Sequence, residues 1–334
     1  MTDVTVVLPF RDAADTLEEA LDSVLSQRGV AVEVLAVDDG SHDGGSAMAQ
    51  RMAASHRGLT VLESTTPGLV GALRTGISQV RSELLARMDA DDISLPDRIG
   101  EQVQRMRASP ALSILGTRVE LLSAQPIAGG MQRYIAWQNA LLTEADHRAQ
   151  LFVESPLCHP STVMRTTALE QLGGYRDGPF PEDYDLWLRA DAAGLAMAKL
   201  DSVGLRWRQG PGRATLVDPR YGPDRFLACK APHLAARLRT RQGDVAVWGA
   251  GKTGRHLARA LEPHGIRACA FVDVDPGKVG RTARDAPIVD PDWLRTHRPT
   301  WVVVAVGAAG ARDEVRAHLD ASGLAEGRDY LCAA

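Results

Sequence analysis

The chain opens on an apolar, β-branched run, Val4-Thr5-Val6-Val7-Leu8-Pro9, which predicts a buried strand. Leu17, Ala20, Leu21, Val24 and Leu25 follow at helical spacing. The alternation then repeats. Strands are predicted over Glu33–Val37, Thr60–Leu62 and Leu84–Met88, with helices over Ala47–Ser55 and Leu69–Val80 between them. Strands and helices in this rhythm predict a parallel sheet covered by helices on both faces. Ligands of such sheets bind beyond the carboxyl ends of the strands. Asp12, Asp38 and Asp39, and Asp89, Asp91 and Asp92 each come just after a predicted strand. They are expected to gather along one edge although far apart in sequence.

Past Pro96, the spacing of Ile99, Val103 and Met106 predicts a helix to about Ser109. Ile114–Leu122 reads as strand, residues 129–154 as a loop followed by helix, and Ser161–Met164 as a short strand. Gly173-Gly174-Tyr175 is a turn, and Pro181-Glu182-Asp183 opens a helix. Val203–Trp207 closes the first domain as a strand, and Gln209–Asp224, rich in proline, glycine and arginine, reads as a loop. Phe226–Leu238 is helical. The pattern then restarts with a strand before Gly249, a second at Ala268–Val272, a third at Trp301–Val306 and a helix at Arg312–Leu319. The predicted organisation is α/β throughout: a first domain over 1–215, a helical linker over 216–242 and a smaller α/β domain over 243–334.

Composition narrows the function classes. The 334 residues are 45% hydrophobic and 24% charged, with a net charge of −4. That balance offers no global attraction to nucleic acid or to an anionic membrane. Cys158, Cys229, Cys269 and Cys332 are dispersed and form no CxxC pair, which argues against a disulfide scaffold or a zinc cluster and for a reducing compartment. Neither a signal-peptide pattern at Met1-Thr2-Asp3 nor a run long enough to span a bilayer is present in this sequence. The expectation is a cytoplasmic protein without a transmembrane segment. Peripheral contact with a membrane stays open.

Chemistry concentrates in Arg87-Met88-Asp89-Ala90-Asp91-Asp92. Three carboxylates within four positions repel one another and lose solvation if left bare. A divalent cation held by oxygen ligands answers both costs. Helix capping by Ser94 or by an acid ahead of Pro96 is the plainer reading, but one cap needs one carboxylate. Asp38-Asp39-Gly40-Ser41-His42-Asp43 fits a turn and a helix cap, and fits equally a carboxylate that meets a ribose or base. Glu182 and Asp183 suit the first turn of a helix by charge alone, and Asp183 also suits a general base.

Taken in order, these clusters resemble the family 2 glycosyltransferases, which have the GT-A fold. The resemblance rests on Val6–Asp12, Val37–Asp43, Gly68–Leu73, Arg87–Asp92, His159–Met164 and Gly173–Arg189, and covers about residues 4–208. It implies inverting transfer of a sugar from a nucleoside diphosphate sugar to a glycan or lipid-linked acceptor, with Mg²⁺ or Mn²⁺ as cofactor. Work on a bacterial cell-surface polysaccharide is implied in the same way. By the family pattern, Pro9, Asp12 and Asp39 line the nucleotide pocket, Asp89 faces the ribose or the metal, Asp91 is the metal ligand and Asp183 is the general base. His159 and Glu182 fall on the acceptor or phosphate side, although a His-Pro pair at a strand start also suits a structural role. The chain departs from the pattern at Arg74, where relatives often carry Asn, and at Gln209, where they often carry His.

In the last domain Gly249, Gly251 and Gly254 form GxGxxG between a strand and a helix, and Asp273 ends the next strand. This resembles a Rossmann-type dinucleotide-binding half, a smaller Rossmann-like domain. A nucleotide site and a purely structural turn are both consistent with it. The competing reading for the whole chain is a non-catalytic sugar-nucleotide or NAD-binding regulatory protein.

Overall fold

The computed structural model describes residues 2–210, 212–308 and 310–334. Met1 of the N-terminal segment, Pro211 of the predicted loop and Ala309 lie outside them. The chain forms two compact units. The first comprises Met1–His147, Pro156–Gly178 and Arg189–Asp218, and the second Arg148–Ser155, Pro179–Leu188 and Pro219–Ala334.

The first unit is built on eight strands: β1 (Val4–Phe10), β2 (Val32–Asp38), β3 (Leu59–Glu63), β4 (Leu84–Arg87), β5 (Ile93–Ser94), β6 (Leu112–Leu122), β7 (Val163–Arg165) and β8 (Ala196–Arg208). Their order in the sheet is β3-β2-β1-β4-β7-β6-β8-β5. Strands β3, β2, β1 and β4 are parallel, with Phe10 opposite Asp38 and Val7 opposite Arg87. The segments after β1, β2 and β4 therefore leave the sheet along the same edge, as the sequence pattern predicts. From β4 onward the sheet is mixed: β7 is antiparallel to both neighbours, and β8 runs parallel to β6.

The core follows from the periodicity. Leu17, Ala20, Leu21 and Val24 of the helix Ala14–Leu25 are fully buried, as is the apolar face of β1. Each such leucine or valine contributes about 1.5–3 kcal/mol by leaving water. Ile99, Val103 and Met106 are buried on the helix Arg98–Ala108 as predicted.

Three expectations need correction. Residues 129–154 begin with a helix, Gly129–Ala140, rather than a loop, and a second helix, Glu144–Gln150, follows. His159–Ser161 is a 3-10 turn, so the strand starts only at Val163. Strand β8 begins at Ala196, seven residues ahead of the predicted start at Val203, because it pairs along the length of β6.

The second unit has its own sheet of β9 (Val245–Trp248), β10 (Ala268–Val272), β11 (Thr282–Ala283), β12 (Ala286–Val289), β13 (Trp301–Val304) and β14 (Tyr330–Cys332), ordered β11-β12-β10-β9-β13-β14. All pairings are parallel except that of β11 with β12. Strand order reverses across β9, the arrangement that opens a crevice at the strand ends of doubly wound sheets. Among the described residues no helix is long and apolar enough to cross a membrane.

Candidate active site

The loops after β1 and β2 are tied together by their own acids. Asp12, at a positive φ of 47°, accepts the His42 N–H at 2.7 Å and donates its own N–H to Ser41 Oγ. Asp38 Oδ1 accepts both the N–H and the hydroxyl of Ser41. Asp43 joins two helix starts by accepting the Ala14 N–H at 2.7 Å and the Gly45 N–H at 2.9 Å. Those bonds hold its carboxyl below the usual range. Asp39 accepts the Gly68 N–H through both oxygens, at 2.8 and 3.0 Å, and Arg11 stands 3.8 Å away. Pro9 is buried within β1. The turn chemistry read from sequence is thus present at Asp38 and Asp43, while Asp12 is tied to the loop after β2 and Asp39 to Gly68, with Arg11 3.8 Å from each of the latter two carboxylates.

Beyond β4 the three acids converge. One carboxylate oxygen from each of Asp89, Asp91 and Asp92 lies within 4.8 Å of the others. The capping alternative does not account for them. The side chain of Asp97, the residue before the helix Arg98–Ala108, does not cap it, and its Ile99 N–H is met at 2.9 Å by Gln27 Oε1 from the loop after the helix Ala14–Leu25.

The acids are partly met from behind by cations that the sequence reading did not single out. Arg87, 1% exposed, donates Nη2 to Asp89 Oδ1 at 2.5 Å. Arg98 is also buried, donates to the Pro160 and Arg87 carbonyls, and adds a positive charge near Asp92. Arg208 donates its backbone N–H to Asp92 Oδ1 at 2.8 Å and its Nε to the Asp91 carbonyl at 2.6 Å. The one sequence signal for Arg87 was its place at the end of an apolar strand, where an unpaired guanidinium is too costly to bury.

The donor set suits a hard divalent cation, because every candidate ligand is a carboxylate oxygen. Burial first, and the Asp89 charge second, push the Asp91 carboxyl up to about 6. Asp92 is likewise raised well above its usual value, by burial first and then by both neighbouring acids. Its Oδ2 is buried and has no hydrogen-bond partner among the described residues. These are the marks of excess negative charge that a cation would relieve. Asp89 and Asp91, both partly exposed, are the two acids open to it; Asp92 is 1% exposed and braces the turn.

His159 is buried, and its Nε2 is 2.6 Å from the Tyr175 hydroxyl. Burial holds its imidazole well below the ordinary value, hence neutral. Arg74 donates Nε and Nη2 to the Tyr175 carbonyl at 3.0 and 2.9 Å, binding its helix to the Gly173-Gly174-Tyr175 turn. In the second unit, Asp183 lies in the first turn of the helix Glu182–Ala192 and accepts the Tyr184 N–H at 2.7 Å. Glu182 is 2% exposed and accepts the Tyr221 hydroxyl at 2.7 Å.

Also in the second unit, Gly249 has a φ of 117°, and a Cβ there would stand 2.5 Å from the Ala305 carbonyl. A Cβ on Gly254 would stand 1.8 Å from the Gly249 carbonyl, whereas one on Gly251 would meet nothing within 4 Å. Asp273 accepts the Ala250 N–H at 2.9 Å and the Asp275 N–H at 3.0 Å, and pairs with Lys278 Nζ at 3.1 Å. Its carboxylate thus serves the glycine turn itself.

The profile of the family Glycosyl transferase family 2 matches residues 5–173. EpsE of Bacillus subtilis, named a putative glycosyltransferase, is 29% identical over 56% of this chain, which spans 66% of EpsE. The amylovoran biosynthesis glycosyltransferase AmsE of Erwinia amylovora is 29% identical over 66% of this chain and 80% of its own length. An Escherichia coli protein named as a UDP-Gal:alpha-D-GlcNAc-diphosphoundecaprenol beta-1,3-galactosyltransferase is 27% identical over 57% of this chain and 68% of its own. In fold, the chain is similar to S. aureus TarS 1-349 solved with UDP-GlcNAc, with a TM-score of 0.56 at 16% identity over 79% of this chain and 72% of TarS 1-349. The profile match takes in half of the 334 residues, from β1 through the acidic turn to the Gly173 turn, and on that ground the chain belongs to glycosyl transferase family 2.

Proposed function

We propose that the protein is an inverting, metal-assisted glycosyltransferase that moves a sugar from a nucleoside diphosphate sugar to a hydroxyl of a glycan or lipid-linked acceptor. The observation that carries this reading is the convergence of Asp89, Asp91 and Asp92 at the sheet edge of a family 2 chain. Asp91 and Asp89 would hold Mg²⁺ or Mn²⁺. When bound, such an ion supplies Lewis-acid stabilisation of the departing diphosphate. Asp12 and Asp39, with Pro9 behind them, receive the nucleotide. Asp183 takes the proton of the acceptor hydroxyl. The acceptor oxygen bonds to the anomeric carbon from the face opposite the diphosphate, the bond to the diphosphate oxygen breaks, and configuration inverts.

The proposed organisation is a transferase domain over 1–215, a helical linker over 216–242 and a Rossmann-like domain over 243–334. The relative that carries diphosphoundecaprenol in its name supports a lipid-linked acceptor and peripheral work at the inner face of a membrane.

A screen of UDP-, GDP- and dTDP-sugars, read by nucleoside diphosphate release with Mn²⁺ or with chelator, tests the reading. Turnover should need the metal and vanish in Asp91→Ala. Asp183→Asn should lose roughly 10²–10⁴-fold in turnover, the usual share of a general base. Equal turnover in Asp183→Asn removes the base assignment, and no release from any donor removes the transferase reading.

A further inference from the structure

The helix Lys252–Leu261 of the second unit buries Gly254, Leu257, Ala258 and Leu261. Its opposite face carries Lys252, Arg255, His256 and Arg259, all exposed and spaced i, i+3, i+4 and i+7. The helix contains no acid. Glu262, the first acid past its end, is already held through both oxygens by Arg284, at 2.7 and 2.5 Å. Arg239 brings a further exposed cation to that end, where its guanidinium donates to the His264 carbonyl at 2.6 Å.

Among the described residues none of Lys252, Arg255, Arg259 and Arg239 makes an ion pair; Arg255 Nε reaches only the Gly251 carbonyl, at 3.4 Å. The arrangement does not serve the helix. Lys252 opens it and Arg255 follows within one turn, at the end where the dipole disfavours cations. Arg255 and Arg259 repel each other at i,i+4. Only Arg259 lies where a cation suits the dipole. Charges that cost the fold stability and find no partner within it fit an anion from outside.

The shape of the strip says which anion. It runs along a convex helix face for about 10 Å, so it meets a flat charged surface along its whole length. Its exposed positions hold no Trp, Tyr or Phe, the side chains on which single-stranded nucleic acid stacks. The chain as a whole carries −4, so an anionic bilayer repels it unless a local basic face turns toward the lipid. We propose that the Lys252–Arg259 face, with Arg239 at its end, is a docking surface for an anionic lipid bilayer. Its apolar side is used within the unit, so the contact is made with headgroups and without insertion. The assignment rests on the reading of a lipid-linked acceptor given above.

Cosedimentation of the full chain with vesicles of phosphatidylcholine alone, or mixed equally with phosphatidylglycerol, tests it. Wild type should bind the mixed vesicles, release them as salt rises, and ignore phosphatidylcholine. Arg255→Gln with Arg259→Gln should weaken that binding about tenfold or more, since each cation near such a surface contributes severalfold. Its melting temperature should hold or rise, because it removes like charge from the helix. Arg51→Gln with Arg105→Gln takes the same charge from exposed positions of the first unit and should bind as wild type. No binding of wild type to mixed vesicles overturns the assignment, as does an equal loss in the two double variants. A clear fall in melting temperature of the first would assign its arginines to the fold instead. Tighter binding to polyuridylate than to mixed vesicles, by phosphate concentration, would replace the bilayer with nucleic acid. Vesicle binding needs no turnover, so its failure leaves the transferase reading to the donor screen, and failure of that screen leaves the vesicle result standing.

Discussion

Arg87 Nη2 donates to Asp89 Oδ1 at 2.5 Å, from a side chain with 1% exposure to one with 34%. The acid that opens toward solvent is thus aimed by a cation that does not. Arg87 also donates to the Met88 carbonyl, so its guanidinium spans the start of the acidic turn. Arg87→Ala should cost about 3 kcal/mol, because it strips the inner half of a partly buried pair. Arg87→Lys keeps a charge but cannot reach both acceptors in the same plane. Urea unfolding should rank stability as wild type, Lys, then Ala, and Mn²⁺ affinity by titration should fall in the same order. A variant that unfolds earlier but binds Mn²⁺ as tightly as wild type would limit Arg87 to structure.

Asp91 and Asp92 are adjacent but differ in their surroundings. Asp92 is buried, accepts the Arg208 N–H, and is pushed by burial toward its neutral form. Asn is close to a neutral carboxyl in shape and keeps an oxygen for that N–H. Asp92→Asn should therefore fold with stability within about 1 kcal/mol of wild type and keep Mn²⁺ binding. Asp91→Asn should lose Mn²⁺ binding while folding normally. Equal loss of Mn²⁺ in both variants would make Asp92 a ligand.

Much of the first sheet was legible because it is local. Val4–Pro9 and Leu84–Ala86 are apolar runs, and Leu17, Ala20, Leu21 and Val24 mark a helix face without reference to anything distant. The acids after β1, β2 and β4 could be placed on one edge because parallel pairing leaves little choice. What escaped was non-local. The two-residue β5 exists only because Ile93 and Ser94 pair with Arg206 and Leu205 of β8, over a hundred positions on. The three acids could be counted from sequence, but their inner counter-charges could not. Arg87 reads as one more strand residue, and Arg98 as an ordinary first-turn residue of a helix, until the fold buries both. The identity of the cap at Ile99 was hidden in the same way, since Gln27 lies 72 positions earlier, in the loop after the first helix.

Lys199 tests the electrostatics away from the acids. It is 5% exposed, and its Nζ donates to the Gln138 carbonyl and, at 3.4 Å, to that of Pro156. Burial pushes it down to about 7 from an ordinary 10.5. A folded-state pKa below the unfolded one means that the unfolded chain binds more protons between about 7 and 10.5. Stability contributed by this group therefore rises with pH across that window and is lost as pH falls toward 7. The neutral amine still has two N–H donors for the two carbonyls. Melting temperature measured from pH 7 to 10 should show this rise in wild type, and the rise should shrink in Lys199→Met. An identical pH dependence in the two proteins would remove Lys199 as its source.

The glycine turn of the second unit separates structure from binding. Gly249 sits at φ 117° with the Ala305 carbonyl where a Cβ would go, so Gly249→Ala adds both strain and a clash. It should cost about 1–3 kcal/mol. Gly251 has open space above it, and Gly251→Ala should leave stability within about 1 kcal/mol of wild type. That contrast makes Gly251→Ala the clean probe of nucleotide binding at this turn. The Asp273 carboxylate already serves Ala250, Asp275 and Lys278, leaving it poorly disposed to take a ribose. Titration of wild type with NADH is accordingly expected to show no binding, with Gly251→Ala the same. NADH binding in wild type that Gly251→Ala abolishes would instead make this turn a nucleotide site and free Asp273 from a purely structural role.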